Sequence, residues 1–307
     1  MTNEIIAIIN FFKFISGADT CSWVPKTLEA RKKLLLQILT QEVEISPLGS
    51  GNKYVENTVL ASDICDCLYS ESGGVKIFWA PPGTGKTTTI RHVLNAEFEK
   101  DKISGVLILS PPRMTCEPDE WFRSKLNYGE HETLKQNDDL SSMINAPPDK
   151  PFVIVIDQCD NFNFDEKMRL FIKSIAEDSH RTKKYIIMVL CSDAQKASTM
   201  NEWNGGVKIK IVRHDYKAYK WTKTQIDKWI ENNIGCHERI NSQNEGHFNK
   251  FKEAALLAGT PDFLIINSSS KEHKSLEDIE ISWRRNAEYL NKSWNSGEEA
   301  FSIMIKV

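Results

Sequence analysis

Val75-Lys-Ile-Phe-Trp79-Ala-Pro-Pro-Gly83-Thr-Gly85-Lys-Thr87 decides the fold. The apolar run Val75 to Trp79 reads as a buried strand. A loop with glycines at 83 and 85 follows, and a helical pattern runs from Thr87 to Glu99. A strand that turns through glycines directly into a helix opens an α/β unit.

Working outward from there, the same texture repeats. Apolar runs at Val106 to Leu109, Phe152 to Ile156, Tyr185 to Leu190 and Val207 to Val212 alternate with helical patterns at Asp165 to Glu177 and Ala194 to Met200. Such alternation predicts an α/β fold of three layers, a parallel sheet with helices on both faces. Near-continuous apolar strands fit burial on both sides. Before the sheet, residues 1 to about 73 read as helical, with Leu28 to Val43 and Tyr54 to Tyr69 at helical spacing and a break at Pro47 to Asn52. After His214 the strands stop. Thr222 to Asn233 and Phe248 to Ala258 read as helices, then Gly259-Thr260-Pro261 makes a turn. The expected division is a helical N-terminal region over 1–48, an α/β core over 49–213, a helical lid over 214–270 and a tail over 271–307 whose role the residues do not disclose.

Ala80 to Thr87 has the spacing of a phosphate-binding loop, and it stands between a strand and a helix as that motif requires. Gly83 and Gly85 allow backbone to wrap close to phosphate oxygens with its N–H groups turned inward. The helix beginning there adds the positive end of its dipole. Pro82, Gly83, Thr84, Gly85, Lys86, Thr87 and Thr88 are the candidate nucleotide-binding residues. Lys86 is placed to reach β- and γ-phosphates, and Thr87 to put its hydroxyl on Mg²⁺. The first glycine of the motif is replaced by Ala80.

Phe152 to Ile156 ends in Asp157, a carboxylate at the edge where ligands bind to such sheets. Asp157 is expected to hold the metal opposite Thr87. Next comes Gln158, whose neutral amide can orient a water but cannot accept its proton. Asp160 lies close by. Either Asp160 supplies that carboxylate, the reading we favour, or hydrolysis is slow and the protein is a nucleotide-gated switch.

Composition narrows the partners. The 307 residues carry a formal net charge of -3 with 26% charged residues, which provides no basic footprint for nucleic acid. The short basic cluster at His180, Arg181, Lys183 and Lys184 reads as a solvated helix end. Seven cysteines at irregular spacing suit thiols in a reducing compartment rather than a disulfide framework. The apolar stretch Ile5 to Ile15 follows an acidic Glu4, is broken by Asn10 and Lys13 and is too short to span a bilayer, so it is expected to be an amphipathic or buried helix rather than a secretory signal, with membrane or partner contact as the alternative. An intracellular protein, cytoplasmic or nuclear, is the expectation.

With these motifs in view, the sequence resembles the AAA+ and STAND branch of P-loop ATPases over roughly Gly49 to Asn267. Ala80 to Thr87 is similar to the phosphate loop common in AAA+ proteins, and Asp157-Gln-Cys-Asp160 resembles the NACHT-like pattern with a second acid three residues after the first. Tyr185 to Ser192 resembles the sensor 1 strand, which implies that Ser192 contacts the γ-phosphate or the attacking water. AAA+ proteins usually carry Glu where Gln158 stands. The resemblance also implies a helical lid with its Gly-x-Pro turn at Gly259 facing the base, an adenine contact within Gly49 to Tyr54, and ATP with Mg²⁺ as ligands. Lys86, Asp157, Gln158, Asp160 and Ser192 become the candidate catalytic residues, with Thr87 and Asp157 on the metal. Arg181 and Arg213 stand near strand ends as arginine-finger candidates, with surface arginines the plainer reading. Arg113 could reach a phosphate or a partner.

Three functions compete. The first is an ATPase whose nucleotide state changes its shape and its contacts with a protein partner or with itself. The second is a nucleic-acid motor, since Leu107 to Arg113 has a superficial helicase likeness, but that class needs a second motor domain and too few residues follow Val212. The third is a module that binds ATP without hydrolysing it.

Overall fold

The structure is a computed structural model that describes residues 54–70, 73–111, 117–119, 121–122, 150–204, 208–233, 245–268 and 275–302. The expected N-terminal helical region, the Pro47–Asn52 break and Arg113 lie outside the described residues.

Five strands form one sheet: β1 (Val75–Trp79), β2 (Gly105–Leu109), β3 (Phe152–Ile156), β4 (Tyr185–Cys191) and β5 (Ile209–Ile211). Their order is β2-β3-β4-β1-β5 and every pairing is parallel. Every residue of β1 and β4 is buried, so the sheet is covered on both faces and alternating polarity is absent from these strands. The predicted strands match in position. Only the last is shorter than its apolar run, Ile209–Ile211 within Val207 to Val212.

Among the described residues the helices are α1 (Thr58–Tyr69), α2 (Lys86–Glu99), α3 (Glu166–Thr182), α4 (Ala194–Glu202), α5 (Lys223–Asn232), α6 (Glu245–Ala258), α7 (Pro261–Ser268) and α8 (Leu276–Ser302). Local chemistry sets their starts. The Asn57 side chain accepts from the Leu60 N–H, so α1 begins at Thr58 and not at Tyr54 as the spacing predicts. Asp165 caps α3 in the same way, and that helix runs on to Thr182, beyond the expected end at Glu177. Thr222 and Gln225 form a reciprocal capping box at α5.

Two apolar cores result. One fills both sides of the sheet and includes Ile77, Phe78, Ile154, Val189, Ile172 and Tyr216. The other joins α5, α6 and α7 through Trp229, Phe251 and Phe263. The charged tail, whose role the residues did not disclose, is the long helix α8, and it enters both. Trp283 and Ala287 pack in the second core, and Trp294 in the first. Near its end, Gly297 lies against Trp79 and Tyr216 so closely that a methyl group there would come within 2.4 Å of the Trp79 ring. The Trp294 indole N–H donates to the Ala258 carbonyl at 2.9 Å, tying α8 to the end of α6.

No described helix is long and apolar enough to cross a membrane.

Candidate functional site

Strand register brings the site together. Trp79 pairs with Cys191, and Ile156 with Val189, so β1, β4 and β3 end at one edge of the sheet. The residues just beyond those ends are the glycine loop after β1, Ser192 after β4 and Asp157 after β3. Because β4 lies between β1 and β3, Ser192 stands between the loop and the acid.

The loop needs its glycines. Gly83 has φ of 72° and Gly85 has φ of 87°, both in the left-handed region. Gly85 is the N-cap of α2 without a side-chain cap, so the first N–H groups of α2 face the loop. Thr84 is buried, and its hydroxyl is turned back to the Pro81 carbonyl of its own loop. Pro82 and Gly83 are exposed.

Lys86 is the charged centre. Its Nζ is buried and donates to the carbonyls of Ala80 at 2.6 Å and Pro81 at 3.1 Å and to Ser192 Oγ at 2.9 Å. Burial lowers its pKa to about 8, against opposing pulls from Asp160, Cys191 and Asp157. Thr87 is on the same turn, and its hydroxyl donates to Asp157 at 3.1 and 2.9 Å from the two carboxylate oxygens. Burial also raises the Asp157 pKa. The Thr87 hydroxyl, the Gln158 N–H and the charges of Arg91 and Lys86 work the other way. Thr88, the last loop candidate, is half-buried on α2 beside them.

No protein-family model matches the chain. No curated protein matches it either.

Gln158 is exposed, with φ of 53°, an uncommon conformation for a residue with a side chain. It leads into a short 3-10 turn, Cys159–Asn161, and Asn161 holds that turn by donating to the Pro111 carbonyl at 2.9 Å. The turn aims Asp160 at the end of β4. Its carboxylate accepts from the N–H of Ser192 at 2.8 Å, the N–H of Asp193 at 3.1 Å and the Cys191 thiol at 2.8 Å. Burial and the Asp160 charge push that thiol well above its usual pKa, so Cys191 acts as a donor rather than a nucleophile. Asp160 thus fixes where Ser192 points, and Ser192 in turn meets Lys86. The side chain of Asp193, the other polar residue at the strand's end, instead caps α4 by accepting from the Lys196 N–H.

The finger candidates are elsewhere. Arg213 pairs with Asp63 through Nε at 2.6 Å and Nη2 at 3.0 Å, and with Asp215 through Nη1 at 2.8 Å. Tyr219 adds its hydroxyl to Asp63, so the cluster ties α1 to the segment that leads into α5. Arg181 pairs with Asp178 at the end of α3, just before β4 begins, on the opposite edge of the sheet from the loop. Of the expected base-contacting stretch only Tyr54 is described, and its ring stacks on His92 of α2 at 3.8 Å between centroids.

Residues missed from sequence also border the site. Arg91, one turn along α2, contributes charge to Asp157. The α7 start closes on the loop: the Asp262 N–H donates to the Gly83 carbonyl at 3.3 Å, and Pro261 lies beside Gly85. The Gly259-Thr260-Pro261 turn was the one signal for that contact. Among the described residues no three His, Cys, Asp or Glu side chains gather as a metal cage. The cysteines described, Cys65, Cys67, Cys159 and Cys191, are thiols.

Proposed function

We propose that this chain binds a nucleoside triphosphate, ATP with Mg²⁺, and is a P-loop ATPase of the AAA+/STAND kind that works as a slow nucleotide-dependent switch. The bond between Thr87 and Asp157 carries this reading. A hydroxyl at the start of α2 and a carboxylate after β3 meet beside a buried lysine and a left-handed glycine loop. That is the donor set such a ligand needs: N–H groups and Lys86 for phosphate oxygens, Thr87 and Asp157 for a hard divalent cation. Those two residues would hold Mg²⁺, which, when bound, offsets charge on the phosphate oxygens. A magnesium ion keeps most of its waters and takes few protein ligands, so one carboxylate and one hydroxyl suffice.

The residues around the site favour slow turnover. Gln158 can orient a water but cannot take its proton. The Asp160 oxygens are engaged by Ser192, Asp193 and Cys191, which favours a positioning role for Asp160 over the base expected from sequence. Ser192, between Lys86 and Asp160, is suited to report the state of the terminal phosphate to β4. The helices over the loop would carry that state outward, to a protein partner or a second copy of the chain.

The test is titration calorimetry with ATP and Mg²⁺, followed by phosphate release. Wild type is expected to bind, and Lys86→Ala to weaken binding at least about tenfold, or about 1.4 kcal/mol. Turnover is expected to be slow and to quicken in Gln158→Glu. Absence of wild-type binding up to about 1 mM, a bound of about -4 kcal/mol, would sink the reading.

A further inference from the structure

Asp262 stands out among the groups that the nucleotide site does not use. It sits in the first turn of α7, half-buried against the glycine loop. A side chain built on Gly83 would have its Cβ 2.4 Å from the Asp262 Cβ and 2.9 Å from Oδ2. The Asp262 side chain therefore fills the space a side chain at position 83 would need. Its backbone N–H adds the bond to the Gly83 carbonyl. Burial raises the carboxyl's pKa, and no opposing charge or donor accompanies that shift. Among the described residues no cation or hydrogen-bond donor meets the carboxylate.

An acid in the first turn of a helix is ordinary, because the helix dipole favours it there. A half-buried carboxylate without a counter-charge, resting on backbone that would itself attract an anion, is not ordinary. Two negative groups a few ångströms apart in a partly desolvated site repel strongly.

We propose that Asp262 sets the affinity of the site for polyphosphate, as a charged latch by which α7 rests on the loop at Gly83 and opposes an incoming anion. This inference rests on the nucleotide reading. A polyphosphate in the loop would lie on the same backbone that the Asp262 side chain rests against at Gly83, so the two negative groups repel across it. Binding must move the start of α7 away from Gly83 or neutralise the acid. Ligand entry and lid displacement are then one event, with repulsion as the link.

The experiment measures binding of Mg·ATP and of inorganic tripolyphosphate to the full chain. Wild type is compared with Asp262→Asn, Asp262→Ala and Asp262→Glu at low salt (about 0.05 M) and high salt (about 0.5 M), which brackets the screening range. Asp262→Asn and Asp262→Ala are expected to bind both probes about tenfold more tightly at low salt, with the gain shrinking at high salt, while Asp262→Glu stays near wild type. Equal affinity in all forms, or weaker binding in the neutral variants, overturns the latch and leaves the nucleotide reading standing. Binding by no form at either salt overturns the nucleotide reading and the latch with it.

Discussion

The hydroxyl of Thr87 donates to both carboxylate oxygens of Asp157, at 3.1 and 2.9 Å, across 70 positions of sequence. One proton is shared between two acceptors on a carboxylate whose pKa burial already raises. A divalent cation between the two side chains would satisfy them better than that proton does. On the proposed function, Mg²⁺ should therefore add to the melting shift that ATP produces in wild type. In Asp157→Ala the ATP shift should no longer depend on Mg²⁺. A hundredfold excess of ligand over its dissociation constant stabilises by about 2.7 kcal/mol, enough for several degrees in a thermal melt. An unchanged magnesium effect in Asp157→Ala would remove this residue from the metal site.

Asp160 and Gln158 should part company under mutation. Asp160→Ala strands the N–H groups of Ser192 and Asp193 and the Cys191 thiol. Each stranded donor that water does not reach costs about 1–3 kcal/mol, so this variant should melt well below wild type. It should also lose turnover, because Ser192 is no longer held toward Lys86. Gln158→Glu is on an exposed side chain and should leave the melt within about 0.5 kcal/mol of wild type while raising the rate. A stable Asp160→Ala with no turnover would return Asp160 to the role of base.

Lys86 should couple binding to protons. Burial lowers its pKa to about 8. A bound polyphosphate favours the charged form and raises that pKa. Above about pH 8 the lysine is mostly neutral before binding and charged after it, so binding takes up a proton and weakens as pH rises. Well below pH 8 it is charged in both states and the uptake vanishes. Calorimetry in buffers of different ionisation heat measures this directly. Lys86→Arg should abolish the uptake, because a guanidinium stays charged throughout.

Gly297 offers a test of packing. On helix propensity alone, Gly→Ala in mid-helix gains up to about 1 kcal/mol. Here the added methyl would lie 2.4 Å from the Trp79 ring and 2.7 Å from that of Tyr216. Overpacking of this kind costs about 1–3 kcal/mol, so Gly297→Ala should lower the melting temperature. Ser296→Ala, one position earlier and exposed, should be neutral or slightly stabilising. Equal melts for the two would mean that α8 does not press on Trp79.

What the sequence disclosed was local. Strand, glycines, Lys86 and Thr87 lie within one short stretch, so their meeting at one strand-to-helix loop follows from spacing alone. Asp157 followed from the end of an apolar run. Asp160 was legible as an acid near the site, but its work depends on β4 lying between β1 and β3, and strand order is not written in any one segment. Arg213 stood as a finger candidate beside the plainer reading of a surface arginine, and its ion pair with Asp63, far earlier in the chain, is likewise written in no one segment. For Asp262 the adjacent Gly259-Thr260-Pro261 turn signals a contact with the site, but not that the partner is Gly83. In α8 the signal was present, since Trp283, Ala287 and Trp294 recur at helical spacing, but periodicity reveals a face and not the surface that receives it.

The position of α8 also bears on how the protein is made. It is the last of the described elements in the chain, yet it covers Trp79 at the end of β1, the strand that leads into the glycine loop. Translation proceeds from the N-terminus, so the sheet can assemble while the ribosome still holds the residues that will shield Trp79 and Tyr216. Until they emerge, those rings present an uncovered aromatic surface of the sort that chaperones bind and that drives aggregation. A nascent chain stalled before residue 276 should be captured by such factors, and the full-length chain released from the ribosome should not.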